Sequence, residues 1–119
     1  MSVGGGMNGM NRALRQLSRQ IEDATKRDEN LRLVNDMQRG CVGAKGAALP
    51  EGVLKKAKDE AEKKKMSDEF RRELIKVMRL LLDIETDIAD GKTEAAKTKL
   101  AELTKLRDHG HEEMGIEEH

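Results

Sequence analysis

Apolar residues recur at Met7, Met10, Leu14, Leu17 and Ile21, in steps of three and four that share one helical face. The spacing predicts a first helix from about residue 8 to about residue 25, after a flexible Gly-rich start over residues 1–8. A second series, Leu31, Val34, Met37, Cys41, Ala44 and Ala48, predicts a second helix. Asp28 suits its N-cap, and Glu29 falls in the first turn, where negative charge is favoured. Gly40, Gly43 and Gly46 each cost about 1 kcal/mol relative to Ala, so its far end is expected to fray. Leu49-Pro50-Glu51-Gly52 marks a turn, and residues 49–65 read as a charged connection. Ser67 is a natural N-cap for a third helix, with Asp68 and Glu69 in its first turn. Its seam is Phe70, Leu74, Val77, Leu81, Ile84 and Ile88, and Asp90-Gly91-Lys92 stops it. A fourth helix begins near Thr93, carries Ala96, Leu100, Leu103 and Leu106, and loses definition at Gly110 or Gly115. Residues 115–119 read as a flexible end.

None of the four helices can bury its seam alone. The pattern therefore predicts an all-α fold, an antiparallel up-down-up-down four-helix bundle forming one domain over residues 1–119. Composition narrows this further. Charged residues are 39% of the chain and apolar ones 36%, so the core is thin and the surface well solvated. One Phe and no Tyr or Trp leave little to build strands from.

Lys plus Arg and Asp plus Glu balance at 23 each, which argues against a nucleic-acid binder. No apolar run approaches the roughly 18 residues of a membrane span. The Lys-rich stretch from Leu54 to Lys65 reads as a solvated helix or a loop, with a docking patch for an acidic partner as the sharper alternative. Met1 to Gly9 has neither a basic region nor an apolar stretch, so it does not read as a signal peptide. On that reading the protein is cytoplasmic, or a leader has been removed. Cys41 is single, so an intrachain disulfide and a cysteine-built zinc site are both impossible, and it reads as a small buried apolar residue.

Candidate chemistry gathers at one end. His109 and His111 project about 200° apart on the fourth helix, so only one can face the core. His111 lies about 20° from Leu100 and about 80° from Leu103, on the buried side, whereas His109 points to solvent. His119 is the last residue. Met10 lies within about 40° of Leu14, Leu17 and Ile21. In an up-down bundle the start of the first helix and the end of the fourth are neighbours, so an inward thioether and an inward imidazole meet there.

From Met66 onward the chain resembles the cytochrome b562 family. The resemblance is carried by Phe70-Arg71, Asp90-Gly91-Lys92, Leu103 and Arg107-x-x-x-His111, in register without a gap. Ile21-Glu22-Asp23-Ala24 and Met37 match as well. The resemblance implies a non-covalent b-type haem with Met and His as axial ligands, and a periplasmic location. The histidine carries over to His111. Extending the first helix without a gap puts Asn11 at the sulfur position; Met10 is the nearest sulfur on the correct face, and Met7 is the next, one turn earlier. Phe70 matches a phenylalanine beside the haem. Arg107 matches a position at the porphyrin edge, where a cation can pair with a propionate. Leu14 joins the expected haem-lining residues. Two axial ligands leave no open position on the iron, which implies electron transfer.

Enzyme constellations are weak. His111-Glu112-Glu113-Met114-Gly115 opens like a zinc-protease helix but has Gly115 where the second histidine belongs. The Glu-x-x-His pairs of di-iron bundles are missing. Three readings follow: a haem electron carrier serving an unknown redox protein; a haem-free bundle acting as a structural or partner-binding module; and a copper site built from Met7, Met10, His111 and Met114. A monomer or weak dimer is expected in each.

Overall fold

The computed structural model describes the backbone of residues 3–46 and 54–114 and the side chains of residues 9–46 and 54–108. Helix α1 spans Val3–Gln20, and a 3-10 turn at Ala24–Lys26 leads into α2 at Arg27–Gly46. Helix α3 spans Glu60–Ala89 and α4 spans Thr93–Met114. No strand occurs among the described residues.

Polar contacts between neighbouring helices show the antiparallel order. Gln20 and Asn30 tie the end of α1 to the start of α2: Gln20 Nε2 donates to Asn30 Oδ1 at 2.8 Å, and Asn30 Nδ2 donates to the Gln20 carbonyl at 3.3 Å. That carbonyl is the last on α1 and also accepts from the Asp23 amide at 3.0 Å, so buried Asn30 adds a second bond to the helix end. Gln38 Nε2 donates to Glu85 Oε1 at 2.6 Å across α2 and α3. Lys99 pairs with buried Asp87 across α3 and α4. Helix α4 closes the ring through Lys97 with Glu22, just past the end of α1, at one end and Arg107 with Asn11 of α1 at the other.

The four seams merge into one core, with Leu17, Leu81 and Ile84 fully buried. Each of these side chains stabilises the fold by roughly 1.5–3 kcal/mol through removal from water. The expected seams of α2 and α3 are buried at Val34, Met37, Cys41 and Ala44 and at every expected position from Phe70 to Ile88.

The helix ends differ from the sequence-based expectations for physical reasons. Helix α1 begins at Val3 rather than near residue 8. Once a packed helix is nucleated, each further residue adds one hydrogen bond, which offsets much of the glycine penalty. It stops at Gln20 rather than near residue 25 because the Asp23 carboxylate captures the Thr25 amide at 3.0 Å and caps the 3-10 turn. Helix α2 starts at Arg27, which moves Asp28 from the cap into the first turn, and it runs through Gly40 and Gly43 to Gly46. Gly40 is buried there, so packing outweighs intrinsic propensity.

The largest correction is at α3. Ser67 does not cap it; the helix begins two turns earlier at Glu60, so residues 60–65 of the expected connection over 49–65 belong to the helix. Asp59 is the N-cap: its carboxylate accepts from the Glu62 amide at 2.8 Å, and Glu62 Oε2 reaches back to the Lys58 amide at 3.2 Å. This pair resembles a capping box, with aspartate for serine and the return bond made to the residue before the cap. Helix α3 ends as its sequence implies. Gly91 has a φ of +73°, and the amides of Gly91 and Lys92 return to the carbonyls of Ile88 and Asp87 at 3.2 and 2.7 Å. These two bonds form a Schellman closure, which favours glycine. Helix α4 begins at Thr93 as expected and passes Gly110 to reach Met114. The Leu49-Pro50-Glu51-Gly52 turn and residues 115–119 lie outside the described residues.

Cys41 is fully buried, and its thiol donates to the Leu74 carbonyl at 3.2 Å. Burial pushes its pKa up to about 11, so almost no thiolate exists at neutral pH. A disulfide reagent at pH 8 should therefore label Cys41 at least about 100-fold more slowly in the native protein than in denaturant. Equal rates would mean that the α2–α3 interface opens readily.

Candidate functional site

The bundle is tightly closed except where α1 faces α4. Contact between these two helices is sparse, and a cleft opens between them towards the start of α1. About 50 Å³ of it is roomy enough for water, within about 440 Å³ of unfilled space that includes open solvent, and it is lined from all four helices. Met10, Asn11 and Leu14 come from α1, Met37 from α2, Leu74 and Val77 from α3, and Leu103 and Arg107 from α4. A shallower groove follows the same seam towards the other end, between Ser18 and Ile21 on one side and Leu100 and Thr104 on the other.

The cleft is almost wholly apolar, with its polar groups confined to two residues. Asn11 is buried, and its Oδ1 accepts from Arg107 Nη1 at 3.4 Å. Arg107 also donates through Nε and Nη2 to Asp108 Oδ1 at 3.1 and 3.0 Å, and its side chain is 21% exposed. The guanidinium thus stands at the mouth, held from α1 and from its own helix. Its cost of burial is limited because it keeps both partners and some water. One further polar atom nearby lacks a partner. Glu73 Oε2, one residue before Leu74, is buried without a hydrogen bond, while Lys76 takes Oε1 at 3.3 Å.

Of the residues singled out in the sequence, Met10, Leu14 and Arg107 meet in this cleft. Phe70 is buried on α3, one turn from Leu74 and outside the lining. His111 lies within α4, one turn beyond Arg107, so its backbone sits at the same end of the bundle. The side chains of Met7, His109, His111 and Met114 lie outside the described residues, as does His119 altogether.

The structure adds lining residues that the sequence did not single out as site residues. Leu74 and Val77 are legible in the sequence only as seam positions, and Met37 and Leu103 as seam positions that also match the family, since a cofactor-lining apolar residue and a core residue carry the same signal. Asn11 had a signal of its own: a polar residue on the inner side of an otherwise apolar helix needs a buried partner.

The donor set suits a flat, largely apolar group with an anionic edge. Two thioethers, Met10 and Met37, line the interior, aliphatic side chains exclude water, and a single cation waits at the rim. Groups of three or more His, Cys, Asp or Glu able to hold a bare metal ion are absent among the described residues.

A family model described as cytochrome b562 matches residues 2–114 of the chain. Comparison with curated proteins and with solved structures finds no match.

Proposed function

As the chain belongs to the cytochrome b562 family, a family of electron carriers with non-covalent b-type haem, we propose that its haem lies in the α1–α4 cleft with Met10 and His111 as axial ligands. The observation that carries this reading is the cleft itself. It opens at the one seam where the bundle is loosely closed, and its lining pairs a thioether with an arginine one turn before His111.

The haem supplies one-electron exchange at its iron. The residues of the chain do the rest. Met10 offers a neutral sulfur, which favours the ferrous over the ferric state and raises the reduction potential. Leu14, Met37, Leu74, Val77 and Leu103 exclude water, which disfavours the extra positive charge of the oxidised state. Arg107, pre-oriented by Asn11 and Asp108, pairs with a propionate by a charge-assisted bond. Phe70 closes the α3 wall behind Leu74 and stiffens the cleft. Two protein ligands would leave no open position at the iron, so the reading is of a carrier and not of an enzyme. The periplasm, typical of the family, is the compartment proposed for it.

Titration with haem tests the reading. The protein should take up one equivalent, show a low-spin spectrum in both oxidation states, and melt at a higher temperature. With free haem at 100 times its dissociation constant the gain is about 2.7 kcal/mol. An unchanged melting temperature and an unshifted haem spectrum would remove the cofactor from this chain and leave the haem-free bundle or the copper site.

A further inference from the structure

The proposed carrier must meet a partner, and the charge of the bundle is unevenly spread along its axis. The half nearest the α1–α2 and α3–α4 turns, residues 17–36 and 77–104, holds eight basic and eleven acidic residues. Among the described residues the half that contains the cleft, 9–16, 37–46, 54–76 and 105–108, holds fifteen basic and seven acidic residues. Much of this basic excess comes from one place. Helix α3 has thirty residues against twenty-two in the described α4, so its first two turns extend about 12 Å past that helix. This overhang and the turn before it carry Lys55, Lys56, Lys58, Lys63, Lys64 and Lys65. Lys63 pairs with Glu60 at 3.1 Å. The other five are exposed, and none has an ion pair among the described residues. Leu54 and Met66 pack onto the core and anchor the segment at both ends, so the lysines sit on a fixed platform.

We propose that this lysine-bearing overhang of α3 is the docking surface for an acidic-faced electron-transfer protein, which it draws to the end of the bundle that holds the cleft. The inference rests on the haem reading above. A platform of unpaired cations over the redox end gives attraction and orientation together, since a partner arriving at the acidic turn end is repelled. The exposed faces of the overhang carry no apolar stripe that would insert into a lipid surface.

Kinetics on the haem-loaded protein test it, with two small oxidants standing in for partner faces of either sign. Ferrous protein loses one electron to ferricyanide, an anion, giving ferrocyanide and ferric protein. It loses one electron equally to a tris-chelate cobalt(III) cation, giving cobalt(II). The triple variant Lys55→Glu, Lys56→Glu, Lys58→Glu is compared with Arg19→Glu, Arg32→Glu, Lys92→Glu, an equal change of net charge towards the other end. At low ionic strength the first variant should react about tenfold more slowly with ferricyanide and faster with the cobalt cation. The second should change less than about twofold, and all rates should converge in 0.5 M salt as charges are screened. Equal effects of the two triples would overturn the proposal, because only net charge would then matter. So would rates independent of salt, or co-sedimentation of the unaltered protein with anionic vesicles that the first triple abolishes. Failure of the haem reading shows earlier and separately, as the absence of a low-spin spectrum, and the proposal then falls with it.

Discussion

His111→Ala should leave the helical content unchanged and abolish the low-spin ferric spectrum of the haem-loaded protein. Helix α4 continues through this position to Met114, and Ala is the best helix former, so the substitution keeps the backbone intact. The loss is confined to the imidazole. An iron without it keeps at most one protein ligand, becomes high-spin or water-ligated, and binds at least about tenfold more weakly, or about 1.4 kcal/mol. His109→Ala is the internal control. The two positions are about 200° apart on the helix, so a side chain at 109 cannot share the face that carries Leu103 and Arg107. Its spectrum and affinity should match the unaltered protein. If both substitutions acted alike, the end of α4 would be rotated away from the register that Arg107 and Leu103 set.

How far the sequence carried this site follows from what kind of signal each residue leaves. Seam residues leave a strong one, because period and burial coincide: every apolar position expected on α3 from Phe70 to Ile88 is buried. Gly91 was legible because only a residue tolerant of positive φ closes a Schellman turn there. Helix starts were legible only in part. Ser67 and Asp59 are both good caps, and Asp59 prevails because Glu62, three residues on, returns a bond, whereas Phe70 stands three residues after Ser67 and can return none. The glycines of α1 and α2 misled in the same direction. Intrinsic propensity is about 1 kcal/mol per residue, less than the packing that holds a helix against its neighbours.

The cleft itself could not be read from period. Four equal seams predict four equal interfaces, whereas the structure leaves the α1–α4 interface loose. The reason lies in side-chain choice. Interface α3–α4 is tied by a partly buried ion pair, and α1–α2 by Gln20 and Asn30, while α1 and α4 meet chiefly through long, polar side chains at the two ends of their seam. Such pairs hold helices at arm's length. Arg107 with Asn11 is the clearest case: an arginine reaching across to an asparagine spans a gap that two leucines would close.

The same pair bears on the sulfur ligand. Met10→Ala should convert the iron to a high-spin or water-ligated form and lower its reduction potential, while Met7→Ala should change little. In gapless register with the family, Asn11 occupies the sulfur position, and the structure shows why it is not the ligand proposed. Its Oδ1 is already engaged by Arg107, and a neutral amide oxygen is a harder, weaker donor to ferrous iron than a thioether. Met10 is half-buried and lines the cleft beside Asn11, and its three rotatable bonds let the sulfur adapt to a ligand in the cleft. Met7 lies one turn nearer the helix start, about 60° around from Met10, behind the glycines at positions 4 to 6. Removing the Met10 thioether also removes its preference for ferrous iron, which fixes the sign of the potential change as downward. Visible spectra of both variants, taken under identical conditions with a potentiometric titration, decide the matter. A low-spin spectrum retained in Met10→Ala and lost in Met7→Ala would move the ligand one turn towards the start of α1. Retention in both would transfer the role to Met37, whose fully buried sulfur faces the same cleft from α2.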